Sequence, residues 1–260
     1  MPTIPDLTPS NLLPRIRTSF IGRTLLSEVE LPSTNITAAE LATANAPEGL
    51  VVVADHQTAG RGRNGRSWLS PPNKNLYFSI LLRPDCPPAS VPQLAIIAAL
   101  SIAKALDMPN IAVKWPNDVW MNGRKLCGIL SSMSCLANKT EYAVIGIGIN
   151  VNMRDFPAEI PGTSLALETG RELSRAEVLA SVLNVIEEDY ILWCREQSLS
   201  PFMERWAKCS LLDGHTITAE HGRDILMGTA SGITPEGLLI LKCHDGATRL
   251  IAAGDTHIAL

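Results

Sequence analysis

At 260 residues with a formal charge of −4 and a pI near 5.8, the chain is long enough for a sizeable core and too acidic for one whose bulk affinity is for nucleic acid. Its six cysteines, at 86, 127, 135, 194, 209 and 243, form no C-x-x-C and share no metal-ligand spacing with the five histidines, so they read as reduced thiols of a cytoplasmic protein. The N-terminal "MPTIPDLTPSNLLPR" lacks the basic and apolar regions of a signal peptide, and the apolar run "LAIIAALSIAKAL" is too short to span a bilayer and carries Lys104, so no membrane is expected.

The proline-rich arm is assigned to residues 1–22. After it, "RTLLSEVELPSTN" reads as a strand ending at Pro32, with Ser33 or Thr34 capping a helix over "NITAAELATANA". "GLVVVADH" is a buried strand, "NLYFSILLRP" the next one, and "SVPQLAIIAALSIAKALD" is apolar around most of its circumference, which predicts a buried helix packed on a sheet. "EYAVIGIGINVN" is a further strand. "SRAEVLASVLNVIEEDYILWCREQ" has the spacing of an amphipathic helix, and "LSPFMERWAKC" continues as a short one. From about Asp213 short alternating runs with glycine turns replace this pattern and predict a small β-barrel. The expected architecture is α+β: a mixed central sheet packed with helices over 23–210, and a small C-terminal barrel over 211–260.

Between the strands "GLVVVADH" and "NLYFSILL" lies "TAGRGRNGRSW", which contains a literal G-x-G-x-x-G at Gly60, Gly62 and Gly65. A dinucleotide-binding turn needs a helix to open at the third glycine, because the helix N-terminus holds the pyrophosphate. Pro71, Pro72 and the next strand leave no room for that helix, and Asp85, about 20 residues on, is then a coincidence of spacing. What remains is a strand-loop-strand with Arg61, Arg63 and Arg66 interleaved with glycines. Like charges on a pliable backbone suit a loop that orders around carboxylate or phosphate, though a solvated surface loop has the same composition.

In "IAVKWPNDVWMNGRKLCGILSSM" the Asn122-Gly123 pair signals a type I′ hairpin, because both central residues of that turn need positive φ. A two-residue turn pairs Met121 with Arg124, Trp120 with Lys125 and Asp118 with Cys127, placing Asp118, Trp120 and Lys125 on one face. Such a face can hold a phosphate, or it can be an exposed edge with a cross-strand ion pair. Lys114 belongs to the same face if the strand continues through Pro116, which breaks or edges it. In "AVIGIGINVN" alternation separates Ile145, Ile147, Ile149 and Val151 from Gly146, Gly148, Asn150 and Asn152, so something flat can approach the glycine face closely.

Taken together and in this order, "PSTN", "QTAGRGRNGRSW", "KWPNDV", "RKLCGIL" and "GIGINVN" closely resemble the biotin protein ligases (biotin-[acetyl-CoA-carboxylase] ligases), from about residue 25 to the end. The resemblance implies a catalytic domain of the biotin-lipoate ligase type, related to class II synthetases, with an SH3-like C-terminal barrel. It also implies a two-step reaction: biotin and ATP, with Mg²⁺, give biotinyl-5′-AMP and pyrophosphate, and a lysine of a biotin carboxyl carrier protein domain of a biotin-dependent carboxylase then takes the biotin. No metal ligand is assigned.

Carried over to this chain, Ser33, Thr34, Asn35, Gln57, Gly60, Arg61, Gly62, Arg63, Lys125 and Gly128 would bind biotin. Arg61, Arg63, Arg66, Trp68, Asn117, Asp118, Lys125 and Asn150 would bind the nucleotide, with Arg63 and Lys125 as the catalytic pair. The segment "PGTSLALETG", around Thr163 to Leu165, looks like a second loop closing over the adenylate. Only 32 residues precede Ser33, so the form without a DNA-binding domain is expected. The alternatives are a lipoate or octanoyl transferase of the same superfamily and a biotin-sensing module that binds without transfer; a homodimer is left open.

Overall fold

Runs of β-branched and aromatic residues bounded by proline and glycine become the strands of one sheet in the computed structural model, which describes residues 6–221 and 224–258. The first five residues of the arm, and residues 222, 223, 259 and 260 of the expected barrel, lie outside the described residues. In chain order the elements are α1 (Pro9–Leu12), β1 (Leu25–Leu31), α2 (Thr34–Thr43), β2 (Val51–Gln57), β3 (Leu76–Leu82) and α3 (Pro92–Leu106). These are followed by β4 (Ile111–Lys114), β5 (Asp118–Met121), β6 (Arg124–Leu136), β7 (Lys139–Ile149), α4 (Leu165–Thr169), α5 (Arg175–Glu196) and α6 (Met203–Cys209). The C-terminal strands are β8 (Thr216–His221), β9 (Asp224–Ile233), β10 (Leu239–Cys243), β11 (Thr248–Ile251) and β12 (Thr256–Ile258).

The main sheet runs β1-β2-β3-β7-β6-β5-β4, parallel between β1 and β2 and antiparallel elsewhere. One face packs on α3 and α5: Val51, Val53, Phe78, Ile80, Ile145, Ile147 and Ile149 are buried there with Leu100, Leu179 and Leu183. The other face is covered by α2 at one end only, where Ala38 and Ala42 meet Val52, Leu81 and Val144. Further along the strands that second face is open, and Gly146, Gly148 and Asn150 of the alternation lie on it.

α3 is buried without interruption from Gln93 to Ala103, as an all-round apolar helix must be. It is preceded by a turn at 88–90, so the stretch Pro88–Leu106 reaches 19 residues and is long and apolar enough by composition to cross a membrane. That corrects the expectation of a run too short to span; 67 % of its most apolar window is buried inside this fold, as in the core helix of a globular domain.

The N-terminal arm packs onto the main domain. Leu7, Leu12, Ile16 and Ile21 join the core, and the Glu187 carboxylate of α5 accepts from the backbone N–H of Phe20 at 2.9 Å and of Ile21 at 2.8 Å. Arg175, at the start of α5 and only 3 % exposed, donates to Asp6 at 2.6 Å, to Asp55 of β2 at 2.6 Å and to the carbonyl of Asn75 at 3.2 Å.

The C-terminal unit is an antiparallel sheet in the order β11-β10-β9-β8-β12. Its fifth strand, β12, was not legible as a separate run. Trp115, 1 % exposed, docks it: the indole N–H donates to Gly237 O at 3.0 Å, and Thr256 Oγ1 donates to Trp115 O at 3.3 Å. The Trp115-Pro116 peptide is cis, β4 ends at Lys114 and β5 begins at Asp118. The two segments are nonetheless paired, Lys114 opposite Asp118.

Candidate active site

The Asn122-Gly123 turn has φ of +47° and +74°, as a type I′ hairpin requires, and pairs Met121 with Arg124 and Trp120 with Lys125. Beyond this the register departs from expectation. Asp118 pairs with Gly128 and Val119 with Cys127, because Leu126 is an extra residue on β6. The bulge sends both Leu126 and Cys127 into the core, each 0 % exposed, while Lys125 and Gly128 stay on the open face with Asp118. It also frees the Lys125 backbone to pair outside the hairpin: its N–H donates to Pro161 O at 2.8 Å and its carbonyl accepts from Thr163 N at 2.9 Å. Burial pushes the Cys127 thiol well above its ordinary range, so it stays protonated beneath the site.

Two hollows lie along the open face. The narrow one, about 30 Å³, is bordered by Ser33, Thr34, Asn35, Gln57, Arg61, Gly146 and Gly148. The wide one, about 270 Å³, is bordered by Gly62, Arg63, Arg66, Lys114, Asn117, Asp118, Lys125, Gly128 and Asn150, and by Asp255, Thr256 and His257 of the C-terminal unit. Trp68, Arg61 and Leu130 border both.

Neutral polar groups furnish the narrow hollow. Ser33 is at the N-cap of α2 but makes no side-chain cap bond, contrary to expectation. The first-turn N–H of Thr34 instead donates to Gln57 Oε1 at 2.9 Å, and Thr34 Oγ1 lies 2.9 Å from Ser79 Oγ. Gln57 Nε2 donates to Ser70 Oγ at 3.1 Å, and Ser70 donates to Trp68 O at 3.0 Å. Asn35 bridges from α2 to β6, donating to Leu130 O at 3.0 Å and accepting from Ser132 Oγ at 2.8 Å.

The flat group that the glycines admit is the indole of Trp68. A Cβ at Gly148 would stand 2.5 Å from Trp68 Cε2 and one at Gly128 2.8 Å from Cζ3, distances no real Cβ tolerates; a Cβ at Gly146 would meet Asn35 Nδ2 at 2.5 Å. Gly60 is equally constrained, 2.7 Å from Trp68 O. The Trp68 N–H is buried and has no partner among the described residues. Gly148→Ala is therefore expected to displace the indole and weaken binding of a small ligand in the narrow hollow by about tenfold or more, the usual scale of overpacking. Calorimetric titration with biotin checks this, and unchanged affinity would show that the indole yields.

Charge gathers in the wide hollow. Lys125 Nζ is 2.7 Å from Asp118 Oδ2 and 5.5 Å from the Trp68 ring centroid. Arg63 donates to Asn117 Oδ1 at 3.1 Å and to Gly254 O at 3.0 Å, and stands 3.7 Å from Asp255. Arg66 also pairs with Asp255. Burial raises the Asp255 pKa, but the hydrogen bond and charge of Arg66 and the charge of Arg63 outweigh it and hold the carboxyl below its ordinary value. Asn150, 6 % exposed, accepts from Asn75 Nδ2 at 3.3 Å. Arg61 is exposed at the rim.

The fold brings the expected site residues other than Gly60 to the borders of two hollows on one face, divided by Trp68; Thr163, Ser164 and Leu165, expected to close over the adenylate, are buried and border neither. Sequence reading missed Ser70, Ser79, Asp255, Thr256 and His257, and left Lys114 undecided. Ser79 carried a signal, since alternation in "NLYFSILL" puts it with Tyr77 on the face opposite Phe78 and Ile80. Asp255, 189 residues from Arg66, carried none.

Residues 27–150 match the Biotin/lipoate A/B protein ligase family, and residues 214–255 match the Biotin protein ligase C terminal domain. The chain is 36 % identical over 245 residues to the Bifunctional ligase/repressor BirA of Bacillus spizizenii, covering 92 % of this chain and 75 % of that protein. It is 31 % identical over 211 residues to the Biotin--[acetyl-CoA-carboxylase] ligase of Paracoccus denitrificans, covering 78 % of this chain and 88 % of that one. The solved biotin protein ligase from Aquifex aeolicus in complex with biotin and ATP superposes with a TM-score of 0.79 at 32 % identity, over 91 % of this chain and all of that one. The chain belongs to the biotin protein ligase family.

Proposed function

We propose that this chain activates biotin with ATP to biotinyl-5′-AMP and passes the biotin to a lysine of a biotin carboxyl carrier protein domain. The observation that carries the reading is the division at Trp68. A hollow lined by carboxamides and hydroxyls abuts one lined by cations, and Lys125 stands at the junction, 5.5 Å from the indole. A ligand with a neutral ureido head and a carboxylate tail, meeting a polyphosphate tail-first, has that polarity.

In the first step a carboxylate oxygen of biotin attacks the α-phosphorus of ATP and pyrophosphate leaves. Lys125 and Arg63 neutralise charge on the oxygens at the junction, where a low-dielectric site makes fixed cations effective. Asn117 orients Arg63, Asp118 orients Lys125, and Asn150 contacts the nucleotide. In the second step the acceptor amine attacks the acyl carbon and AMP departs. The narrow hollow has room for only a water or two as it stands. Its cover, the loop bearing Arg61 and Trp68, must therefore open to admit biotin and close again to shield the anhydride from water.

Magnesium commonly binds through one or two carboxylates together with substrate phosphates. Asp118 is a carboxylate so placed, and the ion there would screen the phosphate charge. Unpaired cysteines and an acidic balance support a cytoplasmic protein whose acceptor is a protein domain.

The polar lining around Thr34, Asn35 and Gln57 favours a ureido ring, which can hydrogen-bond to it, over the alkyl chain of lipoate or octanoate, which would take those groups out of water without adding a hydrogen bond. Incubation with biotin, ATP, Mg²⁺ and a carrier domain is expected to add one biotinyl group to a single lysine, read by mass spectrometry. Modification with lipoate or octanoate instead would overturn the reading.

A further inference from the structure

The segment at 163–165, set over the adenylate by the resemblance, can act on the site only through its neighbours, since Thr163, Ser164 and Leu165 are each 0 % exposed. It is tied to the end of β7, where Leu165 N donates to Asn150 O at 3.1 Å and Ala166 N donates to Val151 O at 2.8 Å. It is tied to β6 as well: Thr163 N donates to Lys125 O at 2.9 Å, and Lys125 N donates to Pro161 O at 2.8 Å. Lys125 lies beside the bulge, where the ladder with β5 shifts register, so this outer pairing fixes the direction of its backbone.

Glu168 of α4 holds the segment there. Its side chain is 8 % exposed, although Leu167 and Thr169 on either side of it are exposed. One carboxylate oxygen accepts from Thr163 Oγ1 and stands 3.5 Å from the Arg124 guanidinium, and the other accepts from Asn122 Nδ2 at 2.6 Å. Asn122 is turned this way because its Oδ1 accepts from Asn110 Nδ2 at 2.9 Å. Withdrawing a carboxylate from water is offset only by partners of this kind. All three belong to the hairpin that carries Lys125 or to the segment bonded to its backbone. The contacts therefore close a ring, from Lys125 O through Thr163, Glu168 and Arg124 back to Lys125.

We propose that Glu168 is a positioning residue for Lys125. It clasps the 161–163 segment to the hairpin, and that segment holds the Lys125 backbone so that the ammonium stands over the open face, 2.7 Å from Asp118. Glu168 itself lines neither hollow. The inference rests on the ligase reading above, in which Lys125 neutralises charge on the phosphate oxygens. A cation stabilises developing charge best when it is held in place beforehand by residues around it. The clasp supplies that hold.

The test uses the full chain as wild type, Glu168→Ala and Glu168→Gln, each also combined with Lys125→Gln. Single-turnover formation of adenylate at saturating biotin and ATP gives the rate, and calorimetry gives the Kd for biotin. Glu168→Ala is expected to slow adenylate formation about tenfold or more, the cost of a small misplacement of a group at the reacting centre. The Kd for biotin should change less than about twofold, and Glu168→Gln should recover most of the rate because it keeps an acceptor oxygen. With Lys125→Gln already present, Glu168→Ala should slow the reaction by less than about twofold more, because residues that act as one unit are not additive. Thr163→Val keeps the side-chain shape, opens the same ring and should slow the same step; it decides the matter if Glu168→Ala does not fold. A rate within threefold of wild type, or a further loss in the Lys125→Gln background as large as in wild type, would overturn the proposal. Wild type that forms no adenylate from biotin and ATP would overturn the ligase reading instead.

Discussion

Lys125→Gln is expected to slow formation of biotinyl-5′-AMP by about 10²–10³-fold, the range seen when one preorganised stabilising donor is removed from an active site. The bulge at Leu126 holds this side chain on the open face, Asp118 fixes its ammonium at 2.7 Å, and Trp68 shields one side of it. Glutamine keeps a donor of similar reach and loses the charge, so the variant separates electrostatics from shape. Stability should fall by less than about 1 kcal/mol, because a partly exposed ion pair contributes little to folding. Single-turnover measurement of adenylate formation, with a thermal melt as control, reads both quantities. A rate within threefold of wild type would remove Lys125 from the chemistry.

The second large effect is on the fold. Arg175→Met is expected to destabilise the protein by about 3–5 kcal/mol, read as a lowered urea midpoint, because removing one member of a buried ion network strands the other. Asp55 is 4 % exposed and would lose the guanidinium that stands 2.6 Å away. The same guanidinium also holds the carbonyl of Asn75, whose side chain braces Asn150, so some loss of nucleotide affinity should accompany the loss of stability. Asp6→Asn should cost much less, since the Asp6 side chain is 37 % exposed and water can replace its partner. Equal effects from the two variants would mean that anchoring the arm, rather than compensating Asp55, is what Arg175 does.

What was legible in the chain followed from local physics. Alternation placed Gly146, Gly148 and Asn150 on one face. The Asn122-Gly123 turn set Trp120 opposite Lys125, and the prolines after Gly65 ruled out a dinucleotide-binding helix. The bulge was not legible, because "RKLCGIL" alternates as well with Leu126 in register as with it looped out; only the docking of the 161–163 segment on the Lys125 backbone decides between them. The group that occupies the glycine face was likewise invisible, since nothing near Gly148 in sequence names Trp68. Asp255 escaped for the same reason. It belongs to the site only because Trp115 docks the C-terminal unit beside the arginine loop, a contact between segments remote in the chain. At the start of α2 the Ser33 side chain makes no cap bond, and the Thr34 N–H is met by Gln57, a tertiary partner that local rules do not see.

The central claim is that this fold activates biotin at the junction marked by Trp68 and Lys125. Exchange of labelled pyrophosphate into ATP, run in parallel with biotin, lipoate and octanoate and with and without Mg²⁺, tests it most directly. The account predicts exchange with biotin alone, dependent on Mg²⁺. Absence of exchange while biotin still binds would contradict it and mark the protein as a biotin-sensing module, and exchange with lipoate or octanoate would contradict the reading of the narrow hollow.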